Sequence, residues 1–223
     1  MLHAPKQKRS RKTLERILSA ARHLMAEHGV DAVGVTEIVA AAESSVGSFY
    51  ARFDGKEDLV RALHERLWDE ALGRWEGGLG GWDATLPAHD RVVRLVGLLQ
   101  ETVRPDQHLR GALARVLNEE GSAAQADFEA RIERDSVTLM EDEAEIRHPE
   151  PSTAVPMGVR IALAALREHG ALNGEPSDPG RLPPSTVRDE ISIALRGYWG
   201  IGRLVQIGPD PSDTAVEYFD IWG

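Results

Sequence analysis

A chain of 223 residues, 42% of them hydrophobic, can bury a substantial core, either as one compact domain or as a small domain fused to a larger one. It has no cysteine, which excludes disulfide stapling, thiolate catalysis and cysteine-ligated zinc together and fits a reducing compartment. Its formal net charge of -10 argues, as a total, against a nucleic-acid partner, because affinity for DNA comes largely from neutralised phosphates.

The distribution of charge argues the other way. Lys6, Lys8, Arg9, Arg11, Lys12 and Arg16 face only Glu15 within the first 16 residues, and all four lysines, Lys56 included, lie in the first quarter of the chain. This suits a local, one-sided DNA-binding surface; on charge alone it suits a solvated basic tail equally well. The basic stretch runs into an amphipathic segment rather than an apolar leader, and no window approaches the roughly 18 apolar residues of a membrane span. A cytoplasmic protein with no membrane partner is expected.

From Leu14 onward Ile17, Leu18, Ala21, Leu24 and Met25 fall on one helical face, and Gly29 stands where a left-handed cap would end the helix. Short helices are predicted over 35–42 and 46–53, separated by Glu43, Ser44 and Ser45. A longer helix follows Asp54 and Gly55, with Glu57 and Asp58 in its first turn, and is expected to stop at the run Gly77-Gly78-Leu79-Gly80-Gly81. Further helices read at 88–103, 106–120, 122–147, 156–169 and 186–206, which makes about nine in all and no strand pattern. Residues 173–185, rich in Pro and Gly, read as an exposed loop, and the tail after Pro209 carries Tyr218, Phe219, Ile221 and Trp222, too apolar to be left in water. The expected fold is all-α: an N-terminal three-helix DNA-binding domain over 1–55 and a larger helical effector-binding and dimerisation domain over 56–223.

Helix, three-residue break, helix is the geometry that props a second helix so that its N-terminal end enters the major groove. Ile38, Ala42, Phe49 and Phe53 form the expected apolar seam, leaving Ser45, Val46, Gly47, Ser48, Tyr50 and Arg52 outward. Gly47 allows close backbone approach to DNA, and Ser48 can hydrogen-bond a base edge or a phosphate.

The stretch Ile17 to Leu59 resembles the DNA-binding domain of the tetracycline-repressor (TetR) family. The likeness lies in Ile17-x-x-Ala20-Ala21, Gly29, Ile38, Ala42, the run Ser45-Val46-Gly47-Ser48-Phe49-Tyr50-Ala51-Arg52-Phe53, and Lys56-Glu57-x-Leu59. It implies that Thr36, Tyr50 and Lys56 fix register on phosphates, that Ser45, Val46, Gly47 and Ser48 face base edges, and that Arg9 and Arg11 add contacts from the arm. It also implies a homodimer joined through the last two long helices, with Ile161, Leu163, Leu166, Ile191, Ile193, Leu195, Trp199 and Leu204 supplying apolar surface. A small-molecule effector pocket is implied among the middle helices, with Trp68, Trp75, Trp82, Leu98, Leu113 and Phe128 as its liners. The function so implied is a repressor released from a palindromic operator by a moderately apolar small molecule.

Four positions depart from the family pattern. Glu43-Ser44 replaces Gly-Val at the turn, Val46 stands where a lysine is common, and Gly34 replaces a capping hydroxyl; modest non-specific affinity and a shallow salt dependence are expected. Two alternatives use the same sequence: a dimeric regulator that has lost DNA binding, to which Glu43 lends support, and a small helical enzyme using the central pocket. The enzyme has no motif in its favour, neither paired carboxylates nor a Ser/His/Asp arrangement nor a cofactor fingerprint. The eight histidines form no metal-ligand pattern, so neither a metal nor a cofactor is expected.

Overall fold

The computed structural model describes residues 4–117, 122–140, 145–171 and 182–202. Among the described residues every long regular element is an α-helix: α1 Ala4–His28, α2 Val35–Ala41, α3 Val46–Tyr50, α4 Lys56–Leu79, α5 Ala88–Val103, α6 Gln107–Leu117, α7 Ala123–Leu139, α8 Pro151–Ala171 and α9 Pro184–Trp199. No described helix is long and apolar enough to cross a membrane. The chain packs as two compact units, residues 1–73 with 105–128 and residues 74–104 with 129–223.

The first unit is built on the apolar face read from the sequence. Ile17, Ala21 and Met25 of α1, Ile38 and Val39 of α2, Phe49 and Phe53 around α3, and Leu59, Leu63 and Leu67 of α4 form one buried cluster. Leu109, Leu113 and Leu117 of α6 join the same cluster, so α6 packs into the core of the three-helix domain. Burying a Leu or Phe side chain contributes about 1.5–3 kcal/mol each, so this seam is what holds two helices of only seven and five residues in place.

In the second unit α5, α8 and α9 pack on one another. Trp199 is fully buried, its indole lies against Gly158, and its Nε1 donates to the Ala154 carbonyl at 2.9 Å. A Cβ at residue 158 would come within 2.6 Å of that Nε1, so the close approach of ring to helix requires glycine. The ion pairs Arg160–Glu133, which is bidentate, and Arg167–Glu129 tie α8 to α7.

Several predicted boundaries move, each for a local reason. α1 starts at Ala4, so the basic arm through Arg9 and Arg11 has helical backbone. α3 ends at Tyr50 rather than 53, because after Ala51 the chain tightens, Arg52 N–H bonding the Phe49 carbonyl three residues back. α4, by contrast, ends at Leu79, within the glycine run as expected; Leu98 fills the space beside Gly78, where a Cβ would clash with its Cδ1. α8 begins at Pro151 and carries Pro156 inside it, which removes a single hydrogen bond near its start. α9 begins at Pro184 and closes at Gly200, whose φ of 66° ends it well before residue 206. α7 ends at Leu139, α6 is described as far as Leu117, and residues 118–120 of its expected span, the expected apolar tail and most of the 173–185 loop lie outside the described residues.

Candidate nucleic-acid interface

The turn between α2 and α3 decides how α3 is presented. α2 ends with Ser44 N–H on the Val39 carbonyl at 2.8 Å and Glu43 N–H on the Ala40 carbonyl at 3.0 Å. These paired bonds form a Schellman ending whose left-handed position, normally glycine, is occupied by Glu43 at φ 46°. The strain expected from the departure at Glu43 is therefore present in the backbone, at a cost on the order of 1–2 kcal/mol. The Glu43 carboxylate lies 3.8 Å from Arg16 with its side chain 88% exposed, too solvated to offset that cost fully.

The other departure is met differently. Gly34 has no side chain to cap α2, but Glu37, in the first turn, accepts the Gly34 N–H at 2.7 Å, half of a capping box. The spacing Gly34-x-x-Glu37 is the sequence signal for this bond.

α3 is capped by Ser45, whose Oγ accepts the Ser48 N–H at 3.1 Å and donates to Ser48 Oγ at 3.0 Å. Inward, Phe49 is wholly buried between Tyr50 and Phe53, both 5.2 Å away ring to ring. Ile38, Ala42, Phe49 and Phe53, the expected seam, are all buried. Outward, Ser45, Val46, Gly47 and Tyr50 are exposed and Ser48 is half-buried, and on α2 Thr36 is exposed. Lys56 stands at the start of α4, half-buried, with its Nζ donating to the Asp31 carbonyl at 3.2 Å. Arg52 is placed otherwise than its outward reading: half-buried on the turn after α3, it donates to the carbonyl of Ser48 and to Ser10.

Beside this surface runs a network that the sequence did not disclose. Arg22 of α1 forks onto both oxygens of Asp106 and reaches Glu70 at 3.0 Å; Arg66 bonds Glu70 at 3.0 Å and Glu15 at 3.2 Å. Asp106 takes φ 58°, so the corner leading into α6 is itself strained where it meets Arg22. The hydrogen bond that Arg66 donates to Glu70, and the charge of Glu15, raise the Arg66 pKa above its ordinary value.

Of the residues expected to line an effector pocket all are buried except Trp82, which is half-buried, and they fall in both units. Trp68, Leu113 and Phe128 belong to the first unit, where Trp68 meets Phe128 at 5.0 Å, carries Arg110 4.7 Å above its ring and donates its indole N–H to His64 Nε2 at 3.1 Å. Trp75 and Leu98 belong to the second, where the Trp75 Nε1 donates to Asp135 at 2.9 Å. The Thr102 and Ser136 hydroxyls, also of the second unit, are buried without a hydrogen-bond partner. Among the described residues no cluster of acidic or histidine side chains has the makings of a metal site.

Residues 17–63 match the family described as bacterial regulatory proteins, tetR family. A 63-residue segment is 35% identical to the uncharacterized HTH-type transcriptional regulator YvdT of Bacillus subtilis, covering 28% of this chain and 32% of that protein, so the match spans about a third of the relative's length. Solved structures extend the likeness over most of the chain at the level of fold. A transcriptional regulator of the TetR/AcrR family from Thermobifida fusca shares 22% identity over 82% of this chain and 95% of its own, with a TM-score of 0.59. The fatty acid degradation regulator FadR of Bacillus halodurans shares 16% over 83% and 95%, with a TM-score of 0.56. RolR, solved with resorcinol, shares 22% over 87% and 91%, with a TM-score of 0.54.

Proposed function

We propose that this chain, whose residues 17–63 match the tetR family of bacterial regulatory proteins, is a DNA-binding transcriptional regulator, a repressor released from a palindromic operator by a small molecule. The observation that carries the reading is α3 itself: Ser45, Val46, Gly47 and Tyr50 stand in solvent over a fully buried Phe49, so the helix is fixed from beneath and open above. In this reading Thr36, Tyr50 and Lys56 position the protein on phosphates, while Ser45, Val46, Gly47 and Ser48 meet base edges.

The homodimer is assigned to α8 and α9. Leu163, Leu166, Ile191, Leu195 and Trp199 are buried within the protomer, whereas Met157, Ile161 and Ile193 are exposed on these helices, beside the small exposed residues Ala164 and Ala194. An apolar face with small residues fits a second copy, and two-fold symmetry supplies the paired reading heads that a palindrome needs. The effector reading is supported by the solved likeness that holds resorcinol, a small aromatic molecule, in the same fold. An effector coupling of about 1–3 kcal/mol lowers operator occupancy 5- to 150-fold, provided that it binds the DNA-incompetent form better.

The test is fluorescence anisotropy with a duplex from the region upstream of the protein's own gene against a scrambled duplex, across a salt series. Preferential, salt-dependent binding is expected. Equal or absent binding at low salt refutes the reading and favours a regulator that has lost DNA binding, the alternative to which the exposed carboxylates Glu37 and Glu43 beside α3 lend weight.

A further inference from the structure

Arg52 does not present its guanidinium as a phosphate contact would. Its Nη1 donates to the Ser48 carbonyl one turn back, its Nη2 donates to the Ser10 carbonyl at 3.3 Å and the Ser10 hydroxyl at 3.1 Å, and its Nε is buried with no hydrogen-bond partner. A guanidinium has five N–H groups in a rigid fork. Here three are engaged within the protein and a fourth is shut away from solvent, so the fork that recognises phosphate is turned inward.

The segment it grips needs holding. α1 has no acidic residue in its first turn, while its first half carries Lys6, Lys8, Arg9, Arg11 and Lys12, all at the positive end of the helix dipole. No residue from 10 to 16 is fully buried; the apolar anchoring of α1 starts at Leu14, which is only partly buried against the core, and nothing apolar holds residues 10–13 before it. A cationic helix end without a buried side chain frays unless something ties it.

We infer that Arg52 is a positioning residue: it ties the first turns of α1 to the end of α3, so that the exposed cations Arg11 and Lys12 are carried as a fixed part of the surface that α3 presents. This rests on the DNA-binding reading above. The sequence distance bridged, 42 residues, is why the link is invisible to any local pattern.

Two measurements test it. In amide hydrogen exchange on the DNA-free protein, Arg52→Ala and Arg52→Lys are both expected to speed exchange severalfold in α1 ahead of Ile17 and to leave the Leu59–Leu67 core of α4 unchanged, which also shows that the variants fold. In duplex binding between 50 and 200 mM salt, each phosphate that is no longer neutralised makes the affinity drop across that range smaller by roughly 3.5-fold. Arg52→Lys keeps the charge and loses the fork, so it is expected to behave as Arg52→Ala. Neither is expected to weaken the salt dependence further in a chain already carrying Arg11→Ala and Lys12→Ala.

A wild-type salt dependence in Arg52→Lys, an equal further loss in the double-alanine background, or unchanged exchange in α1 overturns the inference. If the wild-type protein itself shows no salt-dependent binding, the DNA-binding reading has failed and the purpose given to Arg52 falls with it, whatever exchange reports about the latch.

Discussion

Replacing Glu43 separates backbone strain from charge at the turn. Glu43 occupies the left-handed position of the α2 ending at φ 46°, which costs a residue with a Cβ on the order of 1–2 kcal/mol. Glycine avoids that cost but loses about 0.4–1 kcal/mol through the added freedom of the unfolded chain. Alanine keeps the strain, and both substitutions remove the same 3.8 Å contact with Arg16, so their difference reports the backbone alone. Glu43→Gly is therefore expected to be more stable than Glu43→Ala by about 1 kcal/mol, or about 2–4 °C in melting temperature for a chain of this size. Urea and thermal unfolding of the two variants side by side are the assay. On duplex DNA both are expected to bind more tightly than wild type at low salt, because both remove a negative charge from the turn. Alanine as stable as glycine would refute the strain argument, and unchanged affinity in both would show that the Glu43 charge does not face the duplex.

Four further outcomes follow from the packing and the proposed interface. Gly158→Ala forces a methyl into the Trp199 indole and is expected to destabilise by about 1–3 kcal/mol in chemical denaturation; a neutral result would show that the ring can shift. Arg22→Ala leaves the Asp106 carboxylate, already half shielded, without its fork and is expected to cost about 1–3 kcal/mol, with Arg22→Lys recovering less than half; full recovery by lysine would make the contact a simple point charge. Ile161→Asp with Ile193→Asp is expected to convert a dimer to a folded monomer by light scattering, and retention of the dimer would place the interface elsewhere. Lys56→Ala is expected to lower the salt slope by roughly 1 per protomer, whereas Ser48→Ala mainly relaxes sequence preference; equal loss on all duplexes for both would erase the division between positioning and reading residues.

What is legible in the sequence is what local periodicity encodes. Ile38, Ala42, Phe49 and Phe53 stand at helical spacing around a break, and their burial follows from that spacing. Glu43 announces its own strain, because a left-handed corner without glycine leaves only a few ways to end a helix. Leu109, Leu113 and Leu117 equally announce a buried stripe, but a stripe does not say what it packs against, and the placing of α6 with the N-terminal helices comes only from the tertiary structure. The outward reading of Arg52 carries helical periodicity past Tyr50; the helix ends there, and a residue on the following turn no longer obeys the wheel. Arg22 and Asp106, 84 residues apart, have no local signal at all.

The serine pair that caps α3 has a consequence for what the helix can say to a base. With the Ser45 hydroxyl as donor in its 3.0 Å contact with Ser48 Oγ, its own oxygen accepting the Ser48 N–H, one lone pair of Ser48 is occupied and the Ser48 hydrogen points elsewhere. In a major groove such a hydroxyl speaks chiefly as a donor. It favours the acceptor edges, N7 and O6 of guanine, N7 of adenine and O4 of thymine, over the amino groups of adenine and cytosine. On the proposed reading, in which Ser48 meets a base edge, a helix cap made to satisfy one backbone N–H would also set the polarity of its neighbour toward DNA.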